Sequence, residues 1–158
     1  MIKFIQDDGG RVAAGYGSSS TGDCVTRAVA IATGRPYAEV YEELAEINAR
    51  MPRSRKRLAR GKVGTLTANH GIYTQSKLFK DYMVAQGFMW VPTMGIGTGC
   101  TVHVRAEELP RGRLVLNLSK HCAAVIDGVL HDTYDGSRGG TRCVYGYHIL
   151  EHAGHSWE

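Results

Sequence analysis

Apolar residues change their spacing about half-way along this chain, from helical three-and-four repeats to the alternation and short runs of strands. Ile2 to Ile5 reads as a short first strand. Small and polar residues follow, ending in Gly15-Tyr16-Gly17-Ser18-Ser19-Ser20-Thr21-Gly22. The stretch Cys24 to Thr33 is small and apolar apart from Arg27 and the threonines, and reads as a buried helix. Thr21 or Asp23 can cap its start, and Gly34 can end it. Pro36 opens a second helix, in which Tyr37, Val40, Tyr41, Leu44 and Ile47 form one apolar stripe. Glu39, Glu42, Glu43 and Glu46 cover the wet side, and the pattern stops near Met51-Pro52. A third helix is expected over 74–86, with Leu78, Phe79, Tyr82 and Met83 inward and Gly87 after it.

The remainder predicts strands. They cover 88–91, 101–104 and 114–118, then a hairpin of 121–126 and 129–134 around Asp127-Gly128, and last 142–150. Helices first and an antiparallel sheet after is an α+β order. No linker, repeat or low-complexity block divides the chain, so 1–158 is expected to be a single domain.

Composition narrows the class. Of 158 residues 43% are hydrophobic, enough for one core and too many for disorder. No apolar run reaches the roughly 18 residues of a membrane span. The segment Met1 to Asp8 is too short and too acidic for a signal peptide, which predicts a cytoplasmic protein. Cys24, Cys100, Cys122 and Cys143 form no Cys-x-x-Cys pair, so reduced thiols are expected and neither a metal nor a cofactor is implied. The net charge of +4 names no partner, but six cations gather at Arg53, Arg55, Lys56, Arg57, Arg60 and Lys62. This run reads as a solvated loop, or as a contact for an acidic partner or nucleic acid. The glycine-rich run 94–100 lacks the strand-helix context and the Lys-Ser/Thr ending of a phosphate loop, and reads as a loop bordering a cleft.

Three residues carry the candidate chemistry. Cys24 stands where a helix begins, a position that favours thiolate over thiol. Asp23 beside it opposes that, unless its oxygens are tied up. In the hairpin, a two-residue turn sets Ala123 opposite Asp132 and His121 opposite Tyr134. Asp132 then lies diagonally from His121, within reach of its Nδ1, while Asp135 points to the other face unless a bulge exchanges them. Nucleophile, base and orienting acid are thus supplied in that order. His70, His103, His131, His148, His152 and His155 show no partner pattern.

Gly22-Asp23-Cys24-Val25-Thr26-Arg27-Ala28, and the run from His121 through Asp127-Gly128 to Asp132, resemble motifs of the papain-like cysteine peptidases. Small bacterial and phage members are the most similar, double-glycine leader peptidases and uncharacterised phage proteins among them. The resemblance implies a papain-like fold whose central helix bears the nucleophile and packs on the C-terminal sheet. It implies a cysteine hydrolase acting on a peptide, isopeptide or other amide bond, with Cys24 as nucleophile, His121 as general base and Asp132 as orienting acid. The glutamine that such enzymes often place before the cysteine is missing; Ser18, Ser19, Ser20 and Thr21 stand there, and Gln6 is distant. Two other readings remain open. One is a non-catalytic module of the same fold, binding a host protein or nucleic acid through residues 53–62. The other is an acyltransferase.

Overall fold

The computed structural model describes residues 1–17, 22–50, 74–95 and 97–151. Among the described residues three α-helices, α1 (Cys24–Thr33), α2 (Tyr37–Arg50) and α3 (Lys77–Ala85), lie with a six-stranded sheet. Its strands are β1 (Lys3–Gln6), β2 (Phe88–Pro92), β3 (Arg113–Leu118), β4 (His121–Ile126), β5 (Val129–Asp132) and β6 (Gly146–Leu150). Their spatial order is β1-β5-β4-β3-β6-β2. The fold is α+β, as the element order predicts.

Both faces of the sheet are covered, so the middles of its central strands are apolar, Leu114 to Leu116 on β3 and Cys122 to Val125 on β4. On β3 and β4, Val115, Cys122 and Ala124 face the helices and join Val29, Val40, Leu44, Phe79 and Met83 in one core. The intervening Leu114, Leu116, Ala123 and Val125 face a second core closed by Val104, Leu109 and Val144 from irregular segments. Helix α1 is buried along nearly its whole length. Gly34 ends it in the left-handed conformation at φ 74°, and its N–H donates to the Ala30 carbonyl. Arg113 of β3 reaches the carbonyls of Ala32 and Ile31 at 3.2 and 3.5 Å, which ties the helix end to the sheet. At α3 the Ser76 hydroxyl accepts from the Phe79 N–H, so the helix starts three residues later than its apolar pattern suggests.

Several expectations need correction. The sheet is mixed, not antiparallel, because β1 pairs parallel with β5, Lys3 beside Val129 and Gln6 beside Asp132. Residues 101–104 make only a single bridge, His103 to Cys143. The last strand begins at Gly146, because the chain before it is drawn to the 100–103 segment, through the Cys100–Cys143 disulfide and a lone bridge from Cys143 to His103. Cys100 and Cys143 are not reduced thiols but a disulfide. The basic stretch 53–62, Met51-Pro52, the serine run 18–20 with Thr21, and His70, His152 and His155 lie outside the described residues.

His148 is buried at 3% exposure, its ring against Trp90, Phe88 and Phe79. Burial, then the Lys80 charge, lowers its pKa to about 4. The folded protein therefore refuses a proton that the unfolded chain accepts near 6.5. The sign follows: stability falls as pH drops from about 6.5 to about 4, by up to ~3 kcal/mol from this group. Urea titrations across that window are expected to show a shallower acid loss in His148→Phe than in the native sequence. Parallel curves would remove His148 as the cause.

Candidate active site

Helix α1 lies across β4 with Cys24 as its first residue and His121 as the first residue of β4. Their apolar neighbours fix this placement, since Val25, Ala28 and Val29 pack with Cys122 and Ala124 in the same core. Cys24 and His121 line the same cleft, and each shifts the other's ionisation. The His121 Nε2 lies 2.6 Å from an Asp132 oxygen. This corrects the expectation that Nδ1 would meet the carboxylate. With Nε2 engaged there, Nδ1 is the ring nitrogen left for the thiol. Asp132 is 3% exposed, and its other oxygen accepts the Thr133 N–H at 2.7 Å. Asp135 takes no part; it accepts from the Ser137 N–H and hydroxyl. The Tyr134 ring leans over His121, with centroids 5.4 Å apart.

Asp23 does not cap α1 with its side chain. Its carboxylate is fully buried and held from two sides, by Arg27 four residues on and by Arg11 at 2.5 Å. The Tyr37 hydroxyl donates to it at 2.7 Å, and burial followed by this carboxylate pushes the phenol pKa up. Arg27 also comes within 3.6 Å of Asp132, so one guanidinium stands between the acid beside the nucleophile and the acid behind the imidazole. Arg11 reaches the cluster through a tight turn in which Asp7 and Asp8 accept the N–H groups of Gly9 and Gly10. Gly9 sits at φ 70° with its Cα against the Arg27 backbone, where a side chain would be both strained and crowded.

The electrostatics favour an ion pair. The Cys24 thiol is lowered to about 4, chiefly by the neighbouring Cys122 thiol; burial opposes this, and His121 adds to it. Burial alone would lower His121, but Asp132 and then Cys24 outweigh it and raise the ring to about 9. Cys122 moves the other way, pushed well up by the neighbouring Cys24 and by its own burial. Cys24 therefore carries the negative charge and Cys122 keeps its proton.

Cys24, His121 and Cys122 open onto a cleft of about 1440 Å³. Trp90, Met94, the glycines of the 94–99 loop and Tyr145 form part of its wall, and Lys120 sits at the rim beside His121. The Cys100–Cys143 disulfide anchors the end of that loop to the chain leading into β6. Sequence reasoning missed Cys122, because strand alternation assigns it to the opposite face from His121. It also missed Gln75 and Asn117, amide side chains on the cleft wall with no signature of their own. The Asp23–Arg27 spacing of four was the available signal for the ion cluster. Of the other histidines, His103 meets Glu108 at 3.1 Å and His131 meets Asp7 at 3.2 Å, both away from the thiol. No group of three or more metal-ligating side chains occurs among the described residues. No helix among them is long and apolar enough to cross a membrane.

No protein-family model, curated protein or solved structure matches this chain.

Removing the Asp23 carboxylate leaves two guanidiniums facing each other in the interior. Asp23→Ala is expected to lose about 3–5 kcal/mol of unfolding free energy, measured by urea denaturation. A loss below ~1 kcal/mol would mean that the cluster contributes little.

Proposed function

We propose that this chain is a cysteine-dependent hydrolase of peptide, isopeptide or other amide bonds, built on a papain-like scaffold of the small bacterial and phage type. One observation carries the reading: a histidine hydrogen-bonded at 2.6 Å to a buried carboxylate shares the wall of an open cleft with a helix-start cysteine, and each favours the other's charged form. Cys24 as thiolate attacks the substrate carbonyl carbon. The Cys24 backbone N–H, at the positive end of α1, faces the developing oxyanion. His121 gives its proton to the leaving amine, and the acyl group stays on sulfur as a thioester. Water, deprotonated by His121, then releases the acid. Asp132 holds the ring and favours its charged form throughout. An amine or alcohol in place of water turns the same thioester into acyl transfer. A cytoplasmic location requires the Cys100–Cys143 disulfide to survive reducing conditions, whereas such bonds persist mainly in oxidising compartments.

Iodoacetamide labelling followed by peptide mapping tests the nucleophile. At pH 7 Cys24 is expected to label fast, and His121→Ala to slow it by at least about tenfold, because an unassisted thiol is only a few per cent ionised there. Labelling that His121→Ala leaves unchanged would refute the pairing. The pH dependence separates the two roles. Thiolate forms as pH rises through about 4, and the imidazolium proton is lost through about 9. Alkylation should therefore rise on the acid side and persist at high pH. Amide hydrolysis, which needs both charges, should fall on either side of that window. Hydrolysis still rising above pH 9 would contradict a proton donated by His121.

A further inference from the structure

Hydrolysis leaves one nucleophilic group beside the site unused. Cys122 follows His121 directly on β4, faces α1, and shares both the cleft wall and a core cluster with Cys24. Its sulfur is 3.6 Å from the Asn117 side-chain oxygen, and across the packed α1–β4 contact it and Cys24 shift each other's ionisation. The other two cysteines are already joined to each other. The thiols therefore divide into a closed pair at the loop and an open pair at the nucleophile.

We propose that Cys122 is a resolving thiol, which captures Cys24 once a hydroperoxide has oxidised it and stores the pair as a reversible Cys24–Cys122 disulfide. This rests on the reading of Cys24 as an activated thiolate. The Cys24 sulfur attacks one peroxide oxygen, the O–O bond breaks, and the departing oxygen leaves as water after taking a proton. Cys24 is then a sulfenic acid. The Cys122 sulfur gives up its proton and attacks the Cys24 sulfur, the S–O bond breaks, and a second water leaves. Two thiols are oxidised by two electrons, and one hydroperoxide is reduced, to two waters in the case of hydrogen peroxide. The sequence of charges assists the second step. The Cys24 thiolate is the main cause of the raised Cys122 pKa. Its conversion to neutral sulfenic acid removes that cause, so Cys122 becomes easier to ionise at the moment its attack is needed. The Asn117 oxygen is placed to orient the Cys122 thiol proton until then. Without such a partner, an exposed low-pKa thiolate goes on to sulfinic acid, which thiols do not reduce.

The full-length protein, treated with hydrogen peroxide and mapped without reduction, provides the test. The native sequence is expected to lose iodoacetamide labelling at Cys24, to yield a peptide pair joined through Cys24 and Cys122, and to recover nearly all labelling after dithiothreitol. Cys122→Ser, or Cys122→Ala if the serine variant folds poorly, is expected to accumulate Cys24 sulfinic acid and to recover little. Sulfinic acid forming as fast in the native protein as in the variant would overturn the proposal, as would Cys24 bridged to Cys100 or Cys143. Fast labelling before peroxide with no Cys24–Cys122 bridge after it refutes the resolving role alone. Slow labelling before peroxide refutes the activated thiolate and the switch together.

Discussion

A fully buried carboxylate stands one residue before the candidate nucleophile, and the structure around it exists to keep that charge compensated. Unpaired, Asp23 would be costly to bury and would hold the neighbouring thiol protonated. Two guanidiniums and a phenol hydroxyl take up its oxygens instead. Arg11 comes from the N-terminal turn, Arg27 from the second turn of α1, and Tyr37 from the first turn of α2. The three together fix where α1 begins. That is the condition for Cys24 to stand opposite His121, because the strand offers the imidazole at one place only.

Arg27 extends the arrangement to the far side of the site. It approaches Asp132 as well as Asp23, so the two acids flanking the Cys24–His121 pair share a cation. Moving α1 along its axis would disturb both contacts together. The charges at the reacting end then follow from neighbours rather than from the helix alone. Asp132 supports a positive ring, the ring and Cys122 support a negative sulfur, and burial opposes all of it. A neutral thiol beside a neutral imidazole would leave Asp132 buried without a charged partner on that side.

Local chemistry was legible in the sequence; distant pairing was not. Asp127-Gly128 sets the hairpin register, and that register alone puts Asp132 within reach of His121. Helix α1 announces itself by its small apolar run and Gly34, and α2 by the Tyr37-to-Ile47 stripe. The parallel β1–β5 pair joins residues far apart in the sequence, and no local pattern encodes such a partner. The Cys100–Cys143 bridge likewise depends on where two irregular segments meet. His121 and Cys122 both reach the cleft because they sit where β4 starts, where strict alternation no longer separates neighbouring side chains. The reading that Asp23 caps α1 failed for a related reason: a cap needs only nearby amides, whereas Arg11 arrives from a loop whose course the sequence does not reveal.

Pairing β1 with β5 also orders events in time. During synthesis the first strand emerges early and its neighbour late, with the three described α-helices made in between. Closing so long a loop is slow, and until it closes β1 is unpaired and β5 is an uncovered edge. The carboxylate at the end of β5 takes its final place beside Gln6 only then. A nascent chain therefore carries the Cys24 sulfur long before the hairpin that brings His121 and Asp132 together, and that hairpin must still dock on α1 before the three can meet.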